Sequence, residues 1–325
     1  MIVLRAIRSG GARGVEDPET METVDYGAIA GRFLPRDVAG DVPEELCEKL
    51  ARTHYENFPV GSILLPARLR KHVFNIYAYC RVCDDLSDET GDPALSLRLL
   101  DWWREELHDC YAGRPHHPVF VSLRPTIVQF DLPIKPFDDL ISAFVQDQQV
   151  TRYQTFEQLL GYCERSANPV GRLFLCLMGY RDEARQRLSD MTCTALQLVN
   201  FWQDIAPDYS RGRIYIPQED MDSFGYSEVE LRNRIANASF VRLMRFELQR
   251  TRELFESGSA LSKLVSGAGA ADVDLFNRCG LSLVNAIDKR GCDVLHRRIT
   301  VSKSRKMLMA LGWFARRGAG VVTGT

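Results

Sequence analysis

From Pro43 to the end of the chain, apolar residues recur at steps of three and four almost everywhere. That is the spacing of one face of an α-helix, and strand-like alternation is rare. Val73, Ile76, Tyr77 and Cys80 fit it, as do Leu95, Leu99, Trp102 and Trp103. Further helices are expected over 137–149, 156–165, 170–180, 182–205, 238–258, 272–296 and 302–316, with Asp182 and Ser302 as N-caps. The best strand candidate is the short Arg213–Ile216 segment before Pro217. Short Pro-rich connections at 113–118 and 132–136 suit antiparallel helices. No tandem repeat or low-complexity linker is present. The fold class expected is all-α, a single-domain bundle: a loosely structured N-terminal arm over 1–40, a catalytic domain over 41–317 and a tail over 318–325.

Composition removes several classes of function. Lys and Arg total 41 against 43 Asp and Glu, a net charge of −2, without the basic excess of a nucleic-acid binder. Apolar runs such as Met307–Phe314 fall short of the roughly 18 residues needed to span a membrane. No signal peptide is evident, and nine irregularly spaced Cys fit neither a disulfide framework nor a zinc site. A cytoplasmic protein with reduced thiols is expected. Lys303, Arg305, Lys306, Arg316 and Arg317 bracket the last apolar run, so that helix either touches an inner membrane surface or docks on the body. His116 and His117 are expected in an exposed turn.

Two acidic clusters carry the chemistry. The first is Asp84-Asp85-Leu86-Ser87-Asp88-Glu89, at the end of a helical stretch. Asp88 lies four residues from Asp84 and three from Asp85, a spacing that shares a face. Acids at a helix C-terminus oppose the macrodipole, a placement that makes sense when a cation sits there. The second is a stripe of Gln197, Asn200, Asp204 and Asp208 at steps of three, four and four. Pro207 fits the stripe by kinking or ending that helix. Hard oxygen ligands of this kind suit Mg²⁺, which completes its shell with water and substrate phosphate. On this reading the clusters lie on facing helices and hold a diphosphate through several Mg²⁺ ions. A phosphate-free metal site or a purely structural polar stripe is the plainer alternative. Arg81, Arg211 and Arg213 stand nearby, and Arg forks match phosphate oxygens.

Tyr77 to Glu89 resembles the first aspartate-rich motif of the squalene/phytoene synthase family. Gln197 to Asp208, followed by Arg211-Gly212-Arg213-Ile214-Tyr215-Ile216-Pro217, resembles the second. The resemblance spans roughly residues 45–300 and implies an isoprenoid-synthase bundle around a central apolar cavity. Glu56-Asn57-Phe58-Pro59-Val60-Gly61-Ser62 and Arg165-Ser166-Ala167-Asn168-Pro169-Val170-Gly171-Arg172 are similar to the hydroxysqualene synthase branch of bacterial hopanoid biosynthesis. Squalene synthases usually carry Tyr where this chain has Arg165.

The resemblance implies Mg²⁺-dependent ionisation of presqualene diphosphate, rearrangement, and capture by water to give hydroxysqualene. It implies Asp84, Asp85, Asp88, Asn200, Asp204 and Asp208 as metal ligands. His54, Asn57, Tyr77, Arg81, Arg172, Gln197, Asn200 and Arg213 would bind substrate, and Arg165, Asn168 or Tyr215 would orient the water. No Gly-rich dinucleotide fingerprint is evident, and no NADPH is expected. Partners implied are presqualene diphosphate, water, neighbouring squalene-pathway enzymes and a peripheral membrane contact. Condensation of two farnesyl diphosphates to presqualene diphosphate, squalene or dehydrosqualene is the alternative enzyme. A non-catalytic assembly factor is the alternative outside catalysis, although such relatives tend to lose acidic clusters that are complete here.

Overall fold

The computed structural model describes residues 25–30, 42–53 and 66–300. No β-strand occurs among them; the chain is all-α, as the periodicity predicts. Of the expected loose arm over 1–40 only residues 25–30 are described, and Tyr26–Ala30 is helical; the expected helix over 302–316 with its Ser302 cap, and His54 and Asn57, lie outside the described residues.

Two compact units divide the chain, one reaching Gln149 and the other starting at Val150. The first contains α1 (Tyr26–Ala30), α2 (Pro43–Thr53), α3 (Ala67–Asp88), α4 (Pro93–Tyr111), α5 (Pro118–Phe130) and α6 (Lys135–Asp147). Helix α3 is its axis, packed by α2, α4, α5 and α6. Tyr79 shows why: fully buried, it meets Phe137 edge-on at 5.0 Å and donates its hydroxyl to the Phe137 carbonyl at 2.8 Å. Pro125 interrupts the bonding of α5, and Asn75 of α3 donates to the Ser122 carbonyl and the Thr126 hydroxyl there, at 2.8 and 3.0 Å. These bonds pair the buried Asn75 amide, which would otherwise be left stranded.

The second unit contains α7 (Phe156–Ser166), α8 (Asn168–Leu177), α9 (Glu183–Gln203), α10 (Ile205–Ser210), α11 (Gln218–Ser223), α12 (Glu228–Arg232), α13 (Ala238–Gly258), α14 (Leu261–Leu264) and α15 (Gly267–Lys289). Here α9 is central, packed by α8, α13 and α15. Asp182 caps α9 by accepting from the Arg185 amide at 3.0 Å, as its residue type predicts. Gly171 allows α8 to press against α9, since a Cβ there would stand 2.3 Å from Ser189 Oγ and 2.6 Å from Cys193 Sγ.

Two expectations need correction. Arg213–Ile216 forms no strand: the stretch from Ile214 to Gln218 bonds Thr151 and Tyr153 through isolated amides, Ile214 to the Thr151 carbonyl and Gln218 to the Tyr153 carbonyl. The 113–118 connection is a turn, but of its two histidines only His116 is exposed. His117 turns inward as the N-cap of α5, its ring 4.9 Å from Trp103, and burial lowers its pKa to about 4.

Candidate functional site

The first acidic cluster forms the last turns of α3, which ends at Asp88. Arg81 lies three and four residues before Asp84 and Asp85, so its fork reaches both. Its Nη1 stands 3.1 Å from Asp84 Oδ2, its Nε donates to Asp85 Oδ2 at 3.1 Å, and its Nη2 pairs with Asp85 Oδ1. All three side chains are buried; Asp88 and Glu89 are exposed. Burial pushes the Asp85 carboxyl up to about 8; Arg81 opposes this, while Asp84 and Glu89 reinforce it. Two buried acids thus share one guanidinium, and ionising both at once is disfavoured. One turn back on the same side, the Tyr77 hydroxyl is buried without a hydrogen-bond partner. The Ser87 carbonyl accepts from Ser96 Oγ at 3.0 Å and Gln148 Nε2 at 3.2 Å, which fixes the end of the helix. Nothing in the local spacing announces Gln148.

The second cluster straddles a helix break. Pro207 has no N–H for the Gln203 carbonyl four residues back, and α9 ends at Gln203. Asp204 sits in the hinge with φ −109° and ψ 22°, and Asp208 follows in α10. Both are buried. Arg298 grips Asp204 with two bonds, Nε to Oδ1 at 2.6 Å and Nη2 to Oδ2 at 2.9 Å. Beside it, Gln203 Nε2 donates to the Ile299 carbonyl at 2.5 Å. Arg298 was not legible from spacing, because it lies 94 residues from its partner. Its one signal is the Arg297-Arg298 pair after the last described helix.

Asp208, Arg213 and Tyr215 line one small cavity with Phe201, Ile205, Ile214, Ile216 and Leu231. The Tyr215 ring stacks on Phe201 at 3.8 Å and 7°. Tyr153 and Tyr162 close the aromatic group at 5.8 and 5.9 Å from Tyr215. One turn before the hinge, Asn200 is half-buried and gives its carbonyl to the Asp204 amide. Gln197 is buried with its Oε1 unpartnered.

Other expected residues are placed elsewhere. Arg172 is held by Asp190 at 2.6 and 3.0 Å. Asp190 lies fourteen residues before Asp204, about 21 Å along the helix axis. The structure therefore does not bring Arg172 to the second cluster; it follows α8 to the opposite half of α9. Arg165 is half-buried near the end of α7, and Asn168 opens α8 with its Oδ1 accepting from Thr194 Oγ1 at 3.0 Å.

Among the described residues, no group of three or more His, Cys, Asp or Glu is gathered around a metal position. The arginines take that place, drawing Asp84, Asp85 and Asp204 onto themselves. The donor set nevertheless fits Mg²⁺: hard carboxylate oxygens on the buried Asp84, Asp85, Asp204 and Asp208. Among the described residues no helix is long and apolar enough to cross a membrane.

Comparison with known proteins identifies relatives of the chain. The chain is 32% identical over 281 residues to the phytoene synthase of Arthrospira platensis, covering 81% of this chain and 90% of that one. It matches the crystal structure of squalene synthase HpnC from Alicyclobacillus acidocaldarius with a TM-score of 0.74 and 41% identity, over 81% of this chain and 98% of that one. A dehydrosqualene synthase structure shares the fold, with a TM-score of 0.77 at 23% identity over 91% of this chain and all of the other. Residues 51–305 match the squalene/phytoene synthase family, and the chain belongs to it.

Proposed function

We propose that this enzyme is a hydroxysqualene synthase, which ionises presqualene diphosphate and captures the rearranged carbocation with water. The observation that carries the reading is the Arg165-Ser166-Ala167-Asn168-Pro169 run, which builds a buried polar helix break, in a chain 41% identical to squalene synthase HpnC.

Asp84, Asp85, Asp88, Asn200, Asp204 and Asp208 would hold Mg²⁺. When bound, the metal supplies the positive charge that lets diphosphate leave. Arg81 and Arg213 bind diphosphate oxygens, and Tyr77 donates its unpartnered hydroxyl. Phe201 and Tyr215 offer stacked ring faces, which stabilise a carbocation and exclude stray water. A single positioned water then ends the reaction as an alcohol without a reductant. The C30 product is apolar, so release at the inner membrane surface and transfer between neighbouring pathway enzymes belong to the same proposal.

A second reading has its own support. The curated relative named above and another at 30% identity are phytoene synthases, which favours head-to-head condensation of two prenyl diphosphates. Product analysis by gas chromatography and mass spectrometry separates the two. Purified protein with Mg²⁺ receives farnesyl or presqualene diphosphate in separate reactions, without NADPH. The proposal expects hydroxysqualene from presqualene diphosphate and no consumption of farnesyl diphosphate. Consumption of farnesyl diphosphate would establish the condensing enzyme instead, and silence with both would favour an assembly role.

A further inference from the structure

The break between α7 and α8 has a polar lining that the backbone does not use. Pro169 lacks the N–H that would bond the Arg165 carbonyl, so the helix stops and restarts at Ala167, with φ −124° and ψ −49°. No side chain caps the new helix, and Ser166, Ala167, Asn168 and Pro169 are all buried. The Ser166 hydroxyl, at 0% exposure, has no partner. On the neighbouring helix, Thr194 Oγ1 donates to Asn168 Oδ1 and fixes that carboxamide beside the break. Three residues further along the same face of α9 is Gln197, at 1% exposure, with its Oε1 unpartnered.

Two orphaned polar groups therefore lie within three residues of one ordered Asn–Thr pair. Each costs stability while unsatisfied, and a single water with two to four polar partners removes that cost. The position also suits the reaction. Thr194, Gln197, Asn200, Asp204 and Asp208 are spaced three, three, four and four, a continuous polar stripe. Gln197 lies seven residues before Asp204, about 10 Å along the axis, close enough to reach carbons next to a diphosphate held at the acidic end of that stripe.

We infer that Ser166, with Asn168 and Gln197, holds the water that captures the carbocation, and that Ser166 sets the choice of alcohol over hydrocarbon. The inference rests on the hydroxysqualene synthase reading above. The water oxygen forms a C–O bond with the cationic carbon, and the oxonium loses one proton to the departed diphosphate, the strongest base the ionisation step produces. No oxidant or reductant enters. Ser166 is a positioning residue: it places the oxygen and leaves ionisation to the acidic clusters.

Ser166→Thr and Ser166→Val are nearly the same shape and differ in the hydroxyl, so comparing them removes the effect of added bulk. With presqualene diphosphate and Mg²⁺, diphosphate release and the ratio of alcohol to hydrocarbon are measured for the wild type and both variants. The expected result is diphosphate release within a few-fold between the variants, with the alcohol ratio about tenfold lower in the Val variant than in the Thr variant. Equal ratios, with a wild type that makes hydroxysqualene, overturn this inference alone. A wild type that makes no alcohol overturns the functional reading and the inference with it.

Discussion

The two acidic clusters solve one electrostatic problem differently. In the first, Arg81 neutralises Asp84 and Asp85 from the same helix, three and four residues away. In the second, Arg298 comes from 94 residues further along the chain to hold Asp204 in a helix break. The first leaves two buried carboxylates on one guanidinium; in the second, Asp204 has the Arg298 guanidinium to itself, with Asp208 buried nearby. The first thus holds an acid, Asp85, that resists ionising, and the second a matched Asp204–Arg298 pair that a metal must compete with. Shared chemistry does not require shared construction.

Neutralising one acid in each cluster separates function from folding. Asp84→Asn and Asp204→Asn should each lower turnover by about 10³-fold or more. Their thermal midpoints should move apart: Asp84→Asn holds or rises as repulsion is relieved, while Asp204→Asn falls as Arg298 loses its partner. Equal shifts in the two variants would break the contrast.

A third carboxylate sharpens it, because it has no arginine at all. Asp272 is fully buried with both oxygens unpartnered, and burial alone raises its pKa from 3.8 to about 8. The folded-state value lies above the unfolded one, so the folded protein loses stability as pH climbs from 3.8 towards 8, after which the loss levels off. Asp272→Asn should therefore gain stability over the wild type by up to about 1.4 kcal/mol per pH unit in that window. Urea denaturation at pH 5, 6.5 and 8 reads the trend, and a pH-independent difference would contradict it.

Removing the arginines gives smaller effects. Arg81→Met should cost about 3 kcal/mol, since it strands two buried acids, and Arg298→Met about 2 kcal/mol, since Arg298 is partly exposed. Added Mg²⁺ should recover part of each loss in thermal denaturation. Recovery in neither variant would mean that these carboxylates do not take the cation. Pro207→Ala is expected to be smallest, within about 1 kcal/mol, and to let α9 run on past Gln203. An unchanged amide exchange pattern around Asp204 would show that Pro207 does not set the break.

What could be seen in the sequence follows the same division. Helix α13 falls on Ala238–Gly258, where periodicity places it, because its apolar stripe has no competing signal. The helix expected over 272–296 instead spans Gly267–Lys289. Its extra N-terminal turn carries Gly267 and Gly269, and Gly269 packs so closely on Met178 that a Cβ there would meet the sulfur at 2.1 Å. At the other end, Gly291 and Cys292 turn the chain at φ 71° and 61°. Arg81 was visible through its spacing to Asp84 and Asp85. Arg298, Gln148 and the Thr194–Asn168 bond were not, because tertiary packing alone brings them to their partners. Ser166 was readable as a letter in a motif; only its burial without a partner marks it as polar surface in need of a ligand.

The central claim is that a water oxygen ends the reaction on presqualene diphosphate. The most direct measurement runs the reaction with Mg²⁺ in water enriched in the heavy oxygen isotope ¹⁸O, followed by mass spectrometry of the C30 product. The account predicts hydroxysqualene carrying one heavy oxygen. An unlabelled alcohol, or a hydrocarbon as the main product, would contradict it.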